Sequence, residues 1–146
     1  MGATNRASTL FTNYETNKHI PEPRDRHGSL IPFYFEVTIV SASNISDTYD
    51  LFTIPANWSV AFIQATTNGL GASAGSGVTF QVGDSGDADR LIVATDFDAN
   101  NAIAHLAYTG VAYRPTVDTI EECLIGTAAA VVGKIVKGHV FMIPAS

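Results

Sequence analysis

The chain has 146 residues, which is one domain's worth of core and too little for two. Apolar residues make up 46% and charged ones only 15%, a balance that argues against a charge-rich helical bundle. The net charge of −6 is uneven: residues 1–31 carry Arg6, Lys18, Arg24 and Arg26 against Glu15, Glu22 and Asp25, so the remainder holds −7, from four basic and eleven acidic groups. An acidic body excludes broad nucleic-acid binding, which needs clustered Lys or Arg against phosphate.

Residues 1–31 are polar and aperiodic, with no segment long enough for a core element. They are expected to form an extended arm that gains order from a partner, and residues 32–146 a β-sandwich domain. The arm's larger apolar side chains are Leu10, Phe11, Tyr14 and Ile20, apart from Leu30 at its end. With Arg24 and Arg26 they are the candidate partner-binding residues. No stretch has the length or apolar character of a signal peptide or a membrane span, so the sequence predicts a soluble protein made in the cytoplasm. The sequons at Asn44 and Asn57 then read as chance matches. Met1-Gly2 lacks a myristoylation context, because Arg6 occupies the Ser/Thr position.

Phe33, Phe35, Val37 and Ile39 alternate with Tyr34, Glu36 and Thr38, a two-residue period that predicts a half-buried strand. Further strands are expected at Tyr49–Ile54, at Ser59–Thr66 (apolar on both faces), and around Val78, Phe80 and Val82. Leu91–Ala94, Ala107–Tyr113, Ile120–Ile125 and Lys134–Ile143 complete eight. Asn100–Leu106 and Thr127–Val132 read as single helical turns, too short for stable helices. Pro55 and the run Gly83-Asp84-Ser85-Gly86-Asp87 punctuate the strands, and both glycines of that run are candidates for positive φ. Eight strands fit an all-β sandwich, jelly-roll-like or immunoglobulin-like, and the strand count favours the jelly roll. Trp58 is expected to be buried in either.

Several local patterns imitate chemistry. Gly83-Asp84-Ser85-Gly86 resembles a serine-protease nucleophile signature, but Asp87 replaces the following Gly, and the only histidines upstream, His19 and His27, lie in the arm. A tight hairpin turn is the better reading. Asp84, Asp87, Asp89, Asp96 and Asp98 form the densest acidic cluster and are the weak candidates for Ca²⁺. Asp96-Phe97-Asp98-Ala99-Asn100 opens like an EF-hand loop, yet Asn101 stands in place of the turn glycine and Ala107 in place of the bidentate Glu. Solvated carboxylates that cap their own turns are therefore expected, with no metal site. Thr67–Gly77 is Gly-rich but lacks the Lys-Ser/Thr ending and following helix of a phosphate loop, which leaves a long flexible connection. Histidines 19, 27, 105 and 139 form no His-x-His pair, which counts against a cupin-type metal enzyme. Cys123 follows Glu121 and Glu122, whose charges would raise its thiol pKa, so it is a poor nucleophile. No catalytic constellation and no cofactor site emerge.

The body also resembles the small β-rich virion proteins of tailed bacteriophages, those of the capsid decoration (cement) type. The residues that carry this are Asp47-Thr48-Tyr49-Asp50-Leu51 leading into Ile54-Pro55-Ala56, then residues 80–91 (FQVGDSGDADRL), Asp118-Thr119-Ile120, residues 133–138 (GKIVKG) and a final hydrophobic strand. About two-thirds of the chain is covered, by turn-and-strand patterns and not by catalytic motifs. The resemblance implies a non-enzymatic homo-oligomer on the outer surface of the virion head, bound to the major capsid protein and stabilising capsomer contacts. The alternative is a sandwich module of a tail or fibre that recognises host glycans or proteins.

Overall fold

The computed structural model describes residues 5–7, 30–40, 46–73, 75–110 and 113–144. They form nine strands: β1 (Asn5–Ala7), β2 (Ile31–Thr38), β3 (Thr48–Ile54), β4 (Ser59–Asn68), β5 (Thr79–Asp84), β6 (Asp87–Asp96), β7 (Asn100–His105), β8 (Thr119–Gly126) and β9 (Ile135–Ile143). No helix among the described residues is long and apolar enough to cross a membrane.

The strands make two sheets, one in the order β1-β3-β8-β5-β6 and one in the order β2-β9-β4-β7. Antiparallel pairs β5/β6, β4/β7, β3/β8 and β2/β9 nest around the central hairpin. This is one long ribbon rolled so that its pairs alternate between two sheets, which is the jelly roll and not the immunoglobulin order. Strand β1 is the exception: it lies parallel to β3, with Asn5, Arg6 and Ala7 opposite Thr48, Tyr49 and Asp50. Three residues of the N-terminal arm thus extend the edge of one sheet, while β2 forms the edge of the other.

Period-two patterning puts Phe35, Val37 and Ile39 inside and leaves Tyr34 and Thr38 exposed. In β9 the buried Val136, Gly138, Val140 and Met142 alternate with less buried neighbours. Gly138 is required where it stands, because a Cβ there would lie 2.2 Å from the Gln64 carbonyl oxygen and 2.5 Å from the Phe35 ring. The run apolar on both faces, Ser59–Thr66, is accommodated by a bulge between Val60 and Phe62. Val60 and Ile63 are therefore buried while Phe62 is exposed. Trp58 is buried, and Phe80 stacks on Phe97 at 4.8 Å in the core.

Two elements differ from expectation. The seventh strand is Asn100–His105, the segment read as a helical turn, whereas the Ala107–Tyr113 region holds a single 3-10 turn at Tyr108–Gly110. Asn and Ala are poor strand formers, but the open edge of β4 captures them, pairing Gln64, Ala65 and Thr66 with His105, Ala104 and Ile103. Gly110 also abuts Arg90 and Leu91, where a Cβ would lie 2.8 Å from the Arg90 carbonyl oxygen. No helix forms at Thr127–Val132 either; Thr127 has a φ of 64° and Gly133 one of 82°.

Candidate docking face and the buried carboxylates

Leu10, Phe11, Tyr14, Ile20, Arg24 and Arg26 lie outside the described residues. The five aspartates do not converge on a common point as ligands, and among the described residues no three His, Cys, Asp or Glu side chains are grouped to hold a metal ion. Two of them, Asp84 and Asp98, are largely buried.

Asp84 ends β5 and is 8% exposed. Its Oδ1 accepts from the Gly86 and Asp87 amides at 2.7 and 3.0 Å, closing the two-residue turn in which Ser85 is exposed. Its Oδ2 accepts from Arg90 Nε at 2.9 Å and the Tyr113 hydroxyl at 2.7 Å. The Arg90 guanidinium lies 4.3 Å from the centre of the Tyr113 ring, a cation–π contact. Burial would raise the Asp84 carboxyl, but the bonds from Tyr113, Arg90 and the Gly86 amide together with the Arg90 charge outweigh it, so it sits below its ordinary value. Burial and the bond to Asp84 push the Tyr113 hydroxyl up to about 12. Neither Gly83 nor Gly86 adopts positive φ, contrary to expectation. Gly83 is needed for closeness instead: a Cβ there would lie 2.0 Å from the Asp87 carbonyl oxygen.

Asp98 is 6% exposed and receives the amides of Gly77 and Val78 at 2.6 and 2.8 Å, while its own amide donates to Asp96. It ties down the end of the Gly-rich connection, whose Leu70 is fully buried and hydrogen-bonded to Phe97 and Val131. The carboxylates of this cluster are thus partly structural.

The sequence presents Glu121 only as a charged neighbour of Cys123 and does not foresee its burial. It is fully buried on β8, and neither carboxyl oxygen has a hydrogen-bond partner among the described residues. Burial first, and then the Asp84 charge, raise it to about 8. Cys123, on the same strand, is fully buried, and burial pushes its thiol above the ordinary range. Desolvation, more than the neighbouring glutamates, makes it a poor nucleophile. The described histidines lie on the other sheet from Ser85, His105 in β7 and His139 in β9.

Those histidines belong to a broad surface, the outer face of β2-β9-β4-β7. Register places Tyr34 opposite His139, His139 opposite Gln64, and Gln64 opposite His105, one row across all four strands. On one side a second row joins Pro32, Phe141 and Phe62; on the other, Glu36, Lys137, Thr66 and Ile103 form a third. Tyr34 packs on His139 at 5.3 Å, and Phe62 on Phe141 at 6.0 Å and on His105 at 6.4 Å. The Tyr34 hydroxyl donates to Glu36, whose hydrogen bond, together with burial, pushes that hydroxyl up to about 12. Tyr34, Phe62 and Ile103 are 42%, 40% and 51% exposed. Two shallow depressions of about 270 and 290 Å³ run along the face, one lined by Glu36, Thr66, Asn68 and Lys137, the other by Tyr34, Gln64, Ile103 and His139. Their shallowness suits macromolecular contact better than enclosure of a small ligand. Only the both-faced apolar run at Ser59–Thr66 hinted at this surface, since cross-strand rows exist only once register is set.

No family model matches the chain, and no curated protein does. Solved structures do. A chain of the capsid of Ralstonia phage GP4 superposes with a TM-score of 0.78 at 13% identity, over 98% of this chain and 99% of that one. A chain of the cyanophage Pam1 capsid asymmetric unit gives 0.65 at 20% identity, over 86% and 94%. One from the acidic stable capsid structure of Helicobacter pylori bacteriophage KHP30 gives 0.60 at 18%, over 82% and 91%. The jelly roll of this chain is therefore a fold that it shares, over most or nearly all of its length, with chains found in phage capsids.

Proposed function

We propose that this chain is a structural virion protein of a tailed phage: a decoration (cement) subunit that binds the outer face of the head as a homo-oligomer and stabilises contacts between capsomers of the major capsid protein. The observation that carries the proposal is the two-way coverage with the Ralstonia phage capsid chain, 98% of one and 99% of the other. That neighbour is a chain of this same small size within a capsid, and a subunit so small, with one sandwich and an arm, suits addition to a shell better than construction of one. A binder specific for the assembled lattice raises the free energy of disassembly by mass action. Weak single contacts suffice when several are made at once.

The arm supplies the reach in this proposal. The chain leaves β1 at the edge of one sheet and enters β2 at the edge of the other. Between them lie Leu10, Phe11, Tyr14, Ile20, Arg24 and Arg26, the apolar and basic groups assigned to the shell contact. Immunogold labelling of particles of the phage that carries this gene tests the proposal. Label spread over the head is expected. Label confined to the tail would overturn it in favour of a receptor-binding module.

A further inference from the structure

The outer face of β2-β9-β4-β7 is set apart from the rest of the body by charge. Glu36 and Lys137 are the charged pair in its rows and cancel, so with neutral histidines the face has no net charge, whereas residues 32–146 together hold −7. The opposite sheet is different: on it Asp50 and Glu122 stand directly across from each other in β3 and β8. Two copies that approached through that sheet would bring like charges together. Through the neutral face they would bring Tyr34, Phe62 and Phe141, aromatic anchors of the kind that dominate protein contacts.

We propose that this face is the contact between two copies of the chain, packed sheet against sheet. Sheets pack face to face about 10 Å apart with interdigitating side chains, and the bulge that turns Phe62 outward supplies such a side chain. Four strands about 4.8 Å apart and roughly seven residues long present about 400–450 Å² per copy. The total of roughly 900 Å² is at the low end for specific contacts, so the dimer is weak and reversible in solution. On a lattice, weak pairs are reinforced by effective concentration. The inference deepens the oligomer part of the decoration reading, and its test needs no shell, so the two fail separately.

Sedimentation velocity on the full chain up to about 100 µM reads the association directly. The wild type is expected to dimerise reversibly. Phe62→Glu and Ile103→Glu should each weaken it by about tenfold or more without lowering Tm, since both side chains are exposed. Ile103→Glu, on edge strand β7, decides the matter if Phe62→Glu fails to fold. Val93→Glu, equally exposed but on β6 of the other sheet, should leave association unchanged. A wild type monomeric at the highest concentration overturns the proposal, including the case in which Phe62→Glu then impairs particle binding, which would assign the face to the shell. Equal weakening by Val93→Glu overturns it as well.

Discussion

Asp84 and Tyr113, 29 residues apart in sequence, meet in a 2.7 Å hydrogen bond that fastens the chain beyond the 3-10 turn to the end of the central hairpin. With the Arg90 and backbone bonds it makes Asp84 a four-fold acceptor at a buried position. Asp84→Ala removes every one of these acceptors, deprives the Tyr113 hydroxyl of its 2.7 Å bond and takes from the Arg90 guanidinium its 2.9 Å ion pair, though not its 3.7 Å contact with Asp87. A loss of about 3 kcal/mol is expected, or roughly 10 °C in Tm for a chain of this size. Tyr113→Phe breaks one bond only and should cost about 1 kcal/mol. Thermal melts of both variants check the ranking, and an Asp84→Ala as mild as Tyr113→Phe would contradict the hub.

Ser85, in the middle of the same turn, is exposed, and the Asp84 carboxylate holds the turn from below. Ser85→Ala should therefore change stability by less than about 0.5 kcal/mol and leave particle binding intact. A specific loss of function confined to this substitution would revive the nucleophile reading of Gly83-Asp84-Ser85-Gly86.

Glu121 makes stability depend on pH in the sense opposite to an ion-paired carboxylate. Its folded value is raised from 4.5 to about 8, so the fold favours the neutral form. The resulting contribution is complete below about 4.5 and is lost as pH rises through 8. The span is about 3–5 kcal/mol. Asp84 runs the other way: its lowered value stabilises the fold above its ordinary 3.8 and ceases to do so as pH falls through the lowered value. From these two groups stability should therefore peak between 3.8 and 4.5 and decline on either side. Glu121→Gln, neutral at every pH, should flatten the alkaline limb and raise Tm at pH about 8 relative to wild type. An unchanged profile in the variant would remove Glu121 as the cause.

Gly138 tests the packing between β2, β9 and β4. Gly138→Ala drives its Cβ into a backbone carbonyl and the Phe35 ring, and the carbonyl belongs to a sheet ladder that cannot move alone. A cost of about 3 kcal/mol is expected in denaturant melts. Phe35→Leu in the same chain should recover part of it by clearing the ring, leaving the carbonyl clash.

Much of this architecture was legible because burial and period coincide. The alternation from Phe33 to Ile39 and the run from Lys134 to Ile143 reappear as β2 and β9 nearly residue for residue. Strand β7 was not legible: Asn100–His105 has weak intrinsic strand preference and is a strand because β4 offers it an edge. The carboxylates at 84 and 98 were visible as a cluster, but their burial depends on Tyr113, Arg90 and the amides of Gly77 and Val78, partners up to 29 residues away. Glu121 occupies an inward position of β8 between the exposed Ile120 and a second carboxylate, Glu122, and a pattern reading that expects charge outside and Ile inside assigns this stretch the wrong way round. The row Tyr34–His139–Gln64–His105 draws on four strands, so no local window contains it.

The arm provides the last prediction. A chain starting at Gly28 keeps β2–β9 and, of the described strands, loses only the three-residue β1, whose parallel pairing with β3 is a small part of the ladder. It should fold with a Tm within a few degrees of the full chain, because the nested pairs that define the jelly roll are untouched. Removing β1 also bares the edge of β3, so some loss of solubility is expected at high concentration. If the arm carries the shell contact, binding to particles lacking this protein should fall sharply. A combined Phe11→Ala, Tyr14→Ala and Ile20→Ala variant of the full chain should reproduce most of that loss while keeping β1. The pair of experiments separates edge effects from contact effects: binding retained by both variants would remove the arm from the shell contact, and binding lost only on truncation would move it from those three side chains to β1 or the rest of the arm.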